Sequence, residues 1–281
     1  MTFSGHRARK RFGQHWLQDG QVLDRILAAA ELDSGDHVLE VGPGRGALTE
    51  RLLASPAASV LAVELDRDLV AGLRQRFGAD GRFSVIEGDV LALQLPPPGR
   101  PVPTKVVANI PYNITGPLLE LLVGRLGRPA PCPFERLVLL VQQEVGQRIR
   151  AKPGSSAYSA LSVRMQLLAR CSSVCPVPPR SFSPPPKVNS EVILIEPLPE
   201  AALPPPEQAL AVERLLRRCF AARRKMLRSS LAGLLPPPAL AELVATAGVD
   251  LRQRPQELGP ERWLALATGL NRASTPSPGG A

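Results

Sequence analysis

The chain has 281 residues, 44% of them apolar and 21% charged, which is room for one large domain and a smaller one. No apolar run approaches the ~18–20 residues that span a bilayer, and no signal-peptide pattern follows the basic start, so a cytoplasmic protein without a membrane partner is expected. Thirty-four basic against twenty-five acidic residues leave a net charge of +9, which points to a polyanionic partner. The four cysteines, 132, 171, 175 and 219, hold one C-x3-C pair with no second pair, and the three histidines form no H-E-x-x-H; reduced thiols and no metal site are expected.

In chain order, helical spacing over 21–32 is followed by an apolar strand pattern over 37–41, a helix over 47–54, a strand over 59–64 and a helix over 67–77. Strands at 83–86, 105–108 and 137–141 and a helix at 115–126 complete the alternation, with Asp66 and Thr115 as N-caps. Such alternation predicts an α/β fold, a Rossmann-like parallel sheet with helices on both faces. Proline clusters, among them 96–98, 184–186, 204–206 and 236–238, fall between elements because proline fixes φ and lacks a donor. Behind Pro199 the strand signal stops, and helices over 207–235, 239–247 and 260–270 predict a small all-α C-terminal domain. The expected division is therefore 1–199, 200–271, and a disordered tail over 272–281 rich in Ser, Pro and Gly.

The first strand runs into Gly42-Pro43-Gly44-Arg45-Gly46, where glycines let the backbone turn tightly and approach a ligand. Glu64, twenty-two residues beyond Gly42, ends the next strand and can accept hydrogen bonds from ribose hydroxyls. A nicotinamide dehydrogenase fits this spacing in part. Against it, the glycines run G-x-G-x-G without the third glycine of G-x-G-x-x-G, and the acid Glu40 would be awkward beside a pyrophosphate. Asp89 adds a second acid at the carboxyl end of the third strand, in the ligand crevice of an open sheet. The set resembles that of methyltransferases that use S-adenosyl-L-methionine, in which the two acids contact ribose and adenine.

Asn109-Ile110-Pro111-Tyr112 follows the fourth of these strands. As a bare pattern it is a strand-ending turn; in this position it resembles the catalytic motif of enzymes that methylate exocyclic amines of nucleobases. Such an amine is a poor nucleophile because its lone pair is delocalised into the ring. Acceptors on its two hydrogens, the Asn109 amide oxygen and a backbone carbonyl near Ile110–Pro111, favour a pyramidal nitrogen and aim it at the methyl group. Tyr112 would stack on a base taken out of its helix or loop.

Five segments together are similar to the small-subunit ribosomal RNA adenine dimethyltransferases, the KsgA/RsmA family. They are Arg9-Lys10-Arg11-Phe12-Gly13-Gln14-His15-Trp16-Leu17, Asn109 to Thr115, Gln142-Gln143-Glu144-Val145 with Arg148-Ile149, Phe182-Ser183-Pro184-Pro185-Pro186-Lys187-Val188, and Phe220-Ala221-Ala222-Arg223-Arg224-Lys225-Met226-Leu227. The resemblance implies cofactor contacts at His15, Leu17, Gly42, Glu64, Asp89 and Asn109. It makes Asn109, Pro111, Tyr112 and Phe182 catalytic, with Phe182 on the opposite face of the target base from Tyr112. The family places Asn or His at position 15 and usually Phe at 16, where this chain has Trp. The implied partner is 16S rRNA in a precursor of the small ribosomal subunit, met by a monomer that dimethylates two adjacent adenosines of the 3′-terminal hairpin loop.

Between Arg214 and Arg228 there are seven basic residues and no acid. On one continuous helix, Leu216, Phe220, Leu227 and Leu231 share a face, and Arg217, Arg218, Arg224, Lys225 and Arg228 lie opposite, as an RNA-binding surface would require. Two further readings compete. One is the related large-subunit rRNA adenine methylase of the macrolide-resistance type, which shares the Asn-x-Pro-Tyr chemistry. The other is an assembly factor whose binding role outweighs catalysis.

Overall fold

A computed structural model describes residues 14–274 of the chain. The basic N-terminal segment, including Arg9 to Gly13, and the tail beyond 274 lie outside the described residues. A short strand β1 (Trp16–Leu17) leads into α1 (Gly20–Ala30), which is capped by the Asp19 carboxylate on the amides of Gln21 and Val22. The helix ends two residues before the expected 32, because Glu31 takes a left-handed conformation (φ 46°) that helical hydrogen bonding cannot continue. Then follow β2 (His37–Val41), α2 (Ala47–Ala54), β3 (Ser59–Glu64), α3 (Arg67–Phe77), β4 (Phe83–Glu87), β5 (Lys105–Asn109), α4 (Thr115–Val123) and β6 (Arg136–Gln142).

These strands pair in the order β4-β3-β2-β5-β6, all parallel. The chain leaves β2 outward to β3 and β4, then returns to the other side of β2 for β5. The crevice beyond the carboxyl ends of β2 and β5 is thus the switch point where open α/β sheets bind ligands. Asp66 caps α3 as expected, its carboxylate accepting from the Asp68 amide. Thr115 does not cap α4. It lies inside the helix, and its hydroxyl donates instead to the Tyr112 carbonyl of the preceding 3-10 turn, Tyr112–Ile114.

Beyond β6 come α5 (Gln143–Ile149), α6 (Ala160–Leu168), β7 (Ala169–Val177), β8 (Phe182–Ser183) and β9 (Ser190–Pro197). β9 pairs antiparallel with β6, from Leu137 opposite Ile195 to Gln142 opposite Ser190, and β7 forms the sheet edge beyond it. β8 pairs with β1, Leu17 opposite Phe182, in a separate two-stranded sheet. One core cluster joins Val22, Leu23 and Ile26 of α1 to Leu48 and Leu52 of α2, the sheet residues Val38, Val60, Val107, Val138 and Val192, and Leu17 with Phe182.

The chain divides into two compact units. Among the described residues the first holds 14–124, 130–146 and 170–197, and the second holds 125–129, 147–169 and 198–274. The division differs from the boundary expected at 199, since α6 joins the C-terminal helices: its Arg164 guanidinium clasps Glu213 of α7 (Pro206–Phe220) at 2.8 Å through both Nε and Nη2. The second unit adds α8 (Leu227–Leu231), α9 (Pro237–Thr246) and α10 (Pro260–Ser274), which runs past the helix end expected at 270 and the domain end expected at 271. The Trp263 ring of α10 is buried, 5.9 Å from that of Phe220.

The continuous helix expected over 207–235 is broken. α7 ends at Phe220, and the Leu227 and Arg228 amides donate to the Gln253 and Leu251 carbonyls rather than to a preceding turn. The five basic residues therefore do not share one helix face. Arg217 and Arg218 end α7, Arg224 and Lys225 sit in the turn, and Arg228 lies in α8. All five are exposed, although Arg217 pairs with Glu213 at 2.9 Å and Arg218 donates to the Ser230 and Ala232 carbonyls.

Candidate active site

A cavity of about 240 Å³ opens at the switch point of the sheet. Its wall holds seven residues singled out in the sequence: His15, Gly42, Glu64, Asp89, Asn109, Pro111 and Tyr112. Leu17 lines instead an adjoining cavity of about 640 Å³ that shares Trp16, Gly42, Gly44 and Asn109 with the first. The two spaces meet around the glycine loop, so an elongated ligand could lie across it.

Gly42 has φ +68°, and a Cβ there would point at Pro111 Cδ from 3.5 Å, into the gap between the glycine loop and the Asn-Ile-Pro-Tyr loop. At Gly44 (φ +57°) a Cβ would come within 2.8 Å of the Trp16 indole. Trp16 is held in turn by the Arg45 guanidinium, 3.8 Å above its ring.

Glu64 is 7% exposed, with Oε2 accepting from the Gly44 amide (3.1 Å) and Oε1 from the Asp66 amide (2.9 Å). Burial raises its pKa, against backbone amides of Asp66, Gly44 and Leu65, and the charge of Asp66 adds to the rise. A carboxylate has about four acceptor sites, which leaves room for a ligand hydroxyl. Asp89 is exposed in the turn after β4, where Oδ1 accepts from the Leu91 amide at 2.9 Å. The same wall holds Leu65, an apolar side chain 52% exposed, which was not among the residues expected at the site. An apolar residue directly after a strand-ending acid is the signal that could have found it.

Glu40 is 1% exposed and lines the larger cavity. Oε2 accepts from the Thr49 hydroxyl at 2.7 Å, and Oε1 is a buried atom without a partner. Burial pushes this carboxyl up to about 8, against the Thr49 hydrogen bond and with the Glu64 charge adding to the rise.

The Asn109 amide is fixed by its donor end: Nδ2 donates to the His15 carbonyl at 3.0 Å. That contact settles the orientation of the amide and leaves Oδ1 as an acceptor at the cavity. Pro111 O accepts from the Ile114 amide at 3.1 Å, so the Ile110 carbonyl is the better second acceptor. The His15 ring lies 5.8 Å from that of Tyr112, at 24° between planes, and its Nδ1 is 2.8 Å from the Pro184 carbonyl. A base between two rings needs about 7 Å, twice the contact distance of ~3.5 Å, so one face of Tyr112 is taken by His15.

Phe182 is not brought to the site. It is 4% exposed, belongs to the core cluster with Leu17 and Val22, and lines neither cavity. Its pairing to Leu17 across the β1–β8 ladder turns the ring into that core.

The family model of ribosomal RNA adenine dimethylase matches residues 5–272. A relative from Parasynechococcus marenigrum, "Ribosomal RNA small subunit methyltransferase A", is 67% identical over 97% of this chain and 90% of its own length. The protein of that name from Synechococcus sp. strain WH7803 is 65% identical over 98% of both chains. Among solved structures, a dimethyladenosine transferase from Plasmodium falciparum matches with a TM-score of 0.73 and 28% identity, covering 92% of this chain and 98% of its own. The 23S rRNA methyltransferase ErmE matches with the same score and identity over 91% and 99%. The fold is thus shared with a dimethyladenosine transferase and with a 23S rRNA methyltransferase, whereas the relatives at 67% and 65% identity carry the small-subunit name.

Proposed function

Because the chain belongs to the ribosomal RNA adenine dimethylase family, we propose that it dimethylates N6 of two adjacent adenosines in the 3′-terminal hairpin loop of 16S rRNA. Its substrate is a late precursor of the small subunit, met in the cytoplasm by a monomer. The observation that carries the reading is Asn109: its amide nitrogen is committed to His15, and its oxygen is left to accept from an amine in the cavity.

The chain's residues fit S-adenosyl-L-methionine. Glu64 and Asp89 offer carboxylate oxygens to a nucleoside, Leu65 offers an apolar surface to its base, and the Gly42 backbone allows close approach. Across the glycine loop, Glu40 lines the larger cavity and keeps one carboxyl oxygen without a partner, which a ligand ammonium reaching it would satisfy. Bound there, the cofactor supplies an electrophilic methyl group on sulfur. Asn109 Oδ1 and the Ile110 carbonyl accept from the two N6 hydrogens, which restores lone-pair density to the nitrogen without a strong base. Tyr112 stacks on the base by the face that His15 leaves open.

Arg217, Arg218, Arg224, Lys225 and Arg228 supply a basic, phosphate-contacting surface, and the C-terminal helices together with α6 form the rRNA-binding part of the protein. Asn109→Ala tests the reading: it abolishes methylation of hypomethylated small subunits while the variant still binds them. Loss of particle binding in step with activity would favour the assembly-factor reading. No helix among the described residues is long and apolar enough to cross a membrane.

A further inference from the structure

Ser190 opens β9 and is fully buried, its Cα placed opposite Gln142 by the β6–β9 ladder. The Gln143 amide adds a bond to the Asn189 carbonyl at 3.0 Å, so the backbone just before Ser190 is held on the sheet itself. The Ser190 hydroxyl lies 2.5 Å from the hydroxyl of Tyr112, a residue of the cavity wall at the head of the 3-10 turn after β5. Tyr112 is otherwise held by a loop: its carbonyl accepts from Thr115 at 3.3 Å, and its ring meets His15, just before β1. A ring on a loop can swing about its Cα–Cβ bond. Fixing its far end, the hydroxyl, removes that freedom at the cost of one hydrogen bond.

We infer that Ser190 is a positioning residue for methyl transfer, holding the Tyr112 ring in the plane on which the target adenine stacks. The inference rests on the proposed reading of Tyr112 as the stacking surface. Neither Ser190 nor the tyrosine hydroxyl touches the base; their pair sets where the ring face lies. A stacking surface displaced by about 1 Å carries the amine off line with the methyl group, and alignment errors of that size act on the chemical step.

Two properties make the pair more than a satisfied buried hydroxyl. Ser190 is on β9, a strand with a neighbour on each side in the sheet, and its partner Tyr112 lines the cavity, where its ring meets His15 of the same wall. Burial also holds the Tyr112 phenol protonated above its usual range, with the Ser190 bond opposing that shift.

The test is a cycle of Ser190→Ala, Tyr112→Phe and the double variant, assayed by single-turnover methylation of small subunits at saturating cofactor. Each single variant is expected to slow the methyl-transfer step by about three- to tenfold, the worth of one hydrogen bond. The double variant is expected to be no slower than either single one, and particle affinity to stay unchanged. Ser190→Thr keeps the hydroxyl and should recover most of the rate.

A second readout does not depend on turnover. The chain has only two tyrosines, Tyr112 and Tyr158, so ring-labelled tyrosine gives separable NMR signals. In Ser190→Ala the Tyr112 signals should shift and broaden while those of Tyr158 stay. Losses that multiply in the double variant, or an unchanged Tyr112 spectrum with normal turnover in Ser190→Ala, would overturn the inference. A wild-type protein that methylates no adenine in the particle would overturn the functional reading first, and the inference with it.

Discussion

Glu40→Gln separates what Glu40 does for the fold from what it does for the ligand. In the folded chain the carboxyl sits at about 8 against an ordinary 4.5, so near neutrality it carries a proton that the unfolded chain would have released. A carboxyl raised on folding contributes stability that is fully present below pH 4.5 and is lost as pH rises through 8. At 1.36 kcal/mol per unit, the whole loss is roughly 5 kcal/mol, of which roughly 3–4 kcal/mol falls between pH 5 and pH 8. Glutamine can still accept from Thr49 and takes up no proton, so the variant lacks that slope. Its new amide group costs about 1–3 kcal/mol for want of an acceptor, a cost that does not vary with pH. Urea unfolding at pH 5, 6, 7 and 8 should therefore show the stability of Glu40→Gln gaining on the wild type by roughly 3–4 kcal/mol across the range. Parallel curves would refute a proton-bearing Glu40. The same residue should cost affinity: calorimetry at pH 7 in buffers of different ionisation enthalpy should find close to one proton released when the wild type binds S-adenosyl-L-methionine, and none for the variant.

Glu64→Ala should weaken cofactor binding by about 1–3 kcal/mol in calorimetry, with no dependence on added metal. Tyr112→Ala should lower methylation sharply with particle affinity nearly unchanged, since one base stack contributes roughly 1–3 kcal/mol of a large RNA interface; Tyr112→Phe keeps the ring and should retain far more activity. Phe182→Ala should act through the fold, lowering unfolding stability by about 3–5 kcal/mol, and a variant of wild-type stability would mean the ring does not hold the core. Replacing Arg224 and Arg228 with Ala should reduce the salt slope of subunit binding by roughly 0.7–0.9 for each phosphate that the protein no longer neutralises.

The parallel part of the sheet was legible because buried strands read as short, mostly apolar runs rich in valine and leucine, as in 37–41 and 59–64, with glycine or a capping acid marking each turn. β9 has an equally apolar run, Val192 to Ile195, but the prolines at 184–186 and 197 masked it, and its antiparallel pairing to β6 breaks the strand–helix alternation. The two-residue strands β1 and β8 are too short to leave a period. The helix over 207–235 was wrong for a different reason: residues 221–226 have ordinary helix propensity, and only the distant carbonyls of Leu251 and Gln253 divert the backbone amides of Leu227 and Arg228. Tertiary contacts overrode propensity there.

In the site, Glu64, Asp89 and Asn109 could be read because each is a polar residue at a strand end, where the topology exposes it to the crevice. Phe182 carried no such local sign. Whether an aromatic residue points into a core or a cavity depends on its pairing, here with Leu17, 165 positions earlier in the chain. Ser190 and the open end of Asn109 were equally out of reach, since both depend on partners remote in sequence.

The central claim is that this chain methylates adenine N6 in small-subunit RNA. It is tested most directly by incubating the protein with labelled S-adenosyl-L-methionine and hypomethylated subunits, then mapping modified nucleosides by mass spectrometry. Labelled N6,N6-dimethyladenosine at two adjacent positions near the 3′ end of 16S rRNA is the predicted result. Label confined to large-subunit RNA, or none in either RNA, would contradict it.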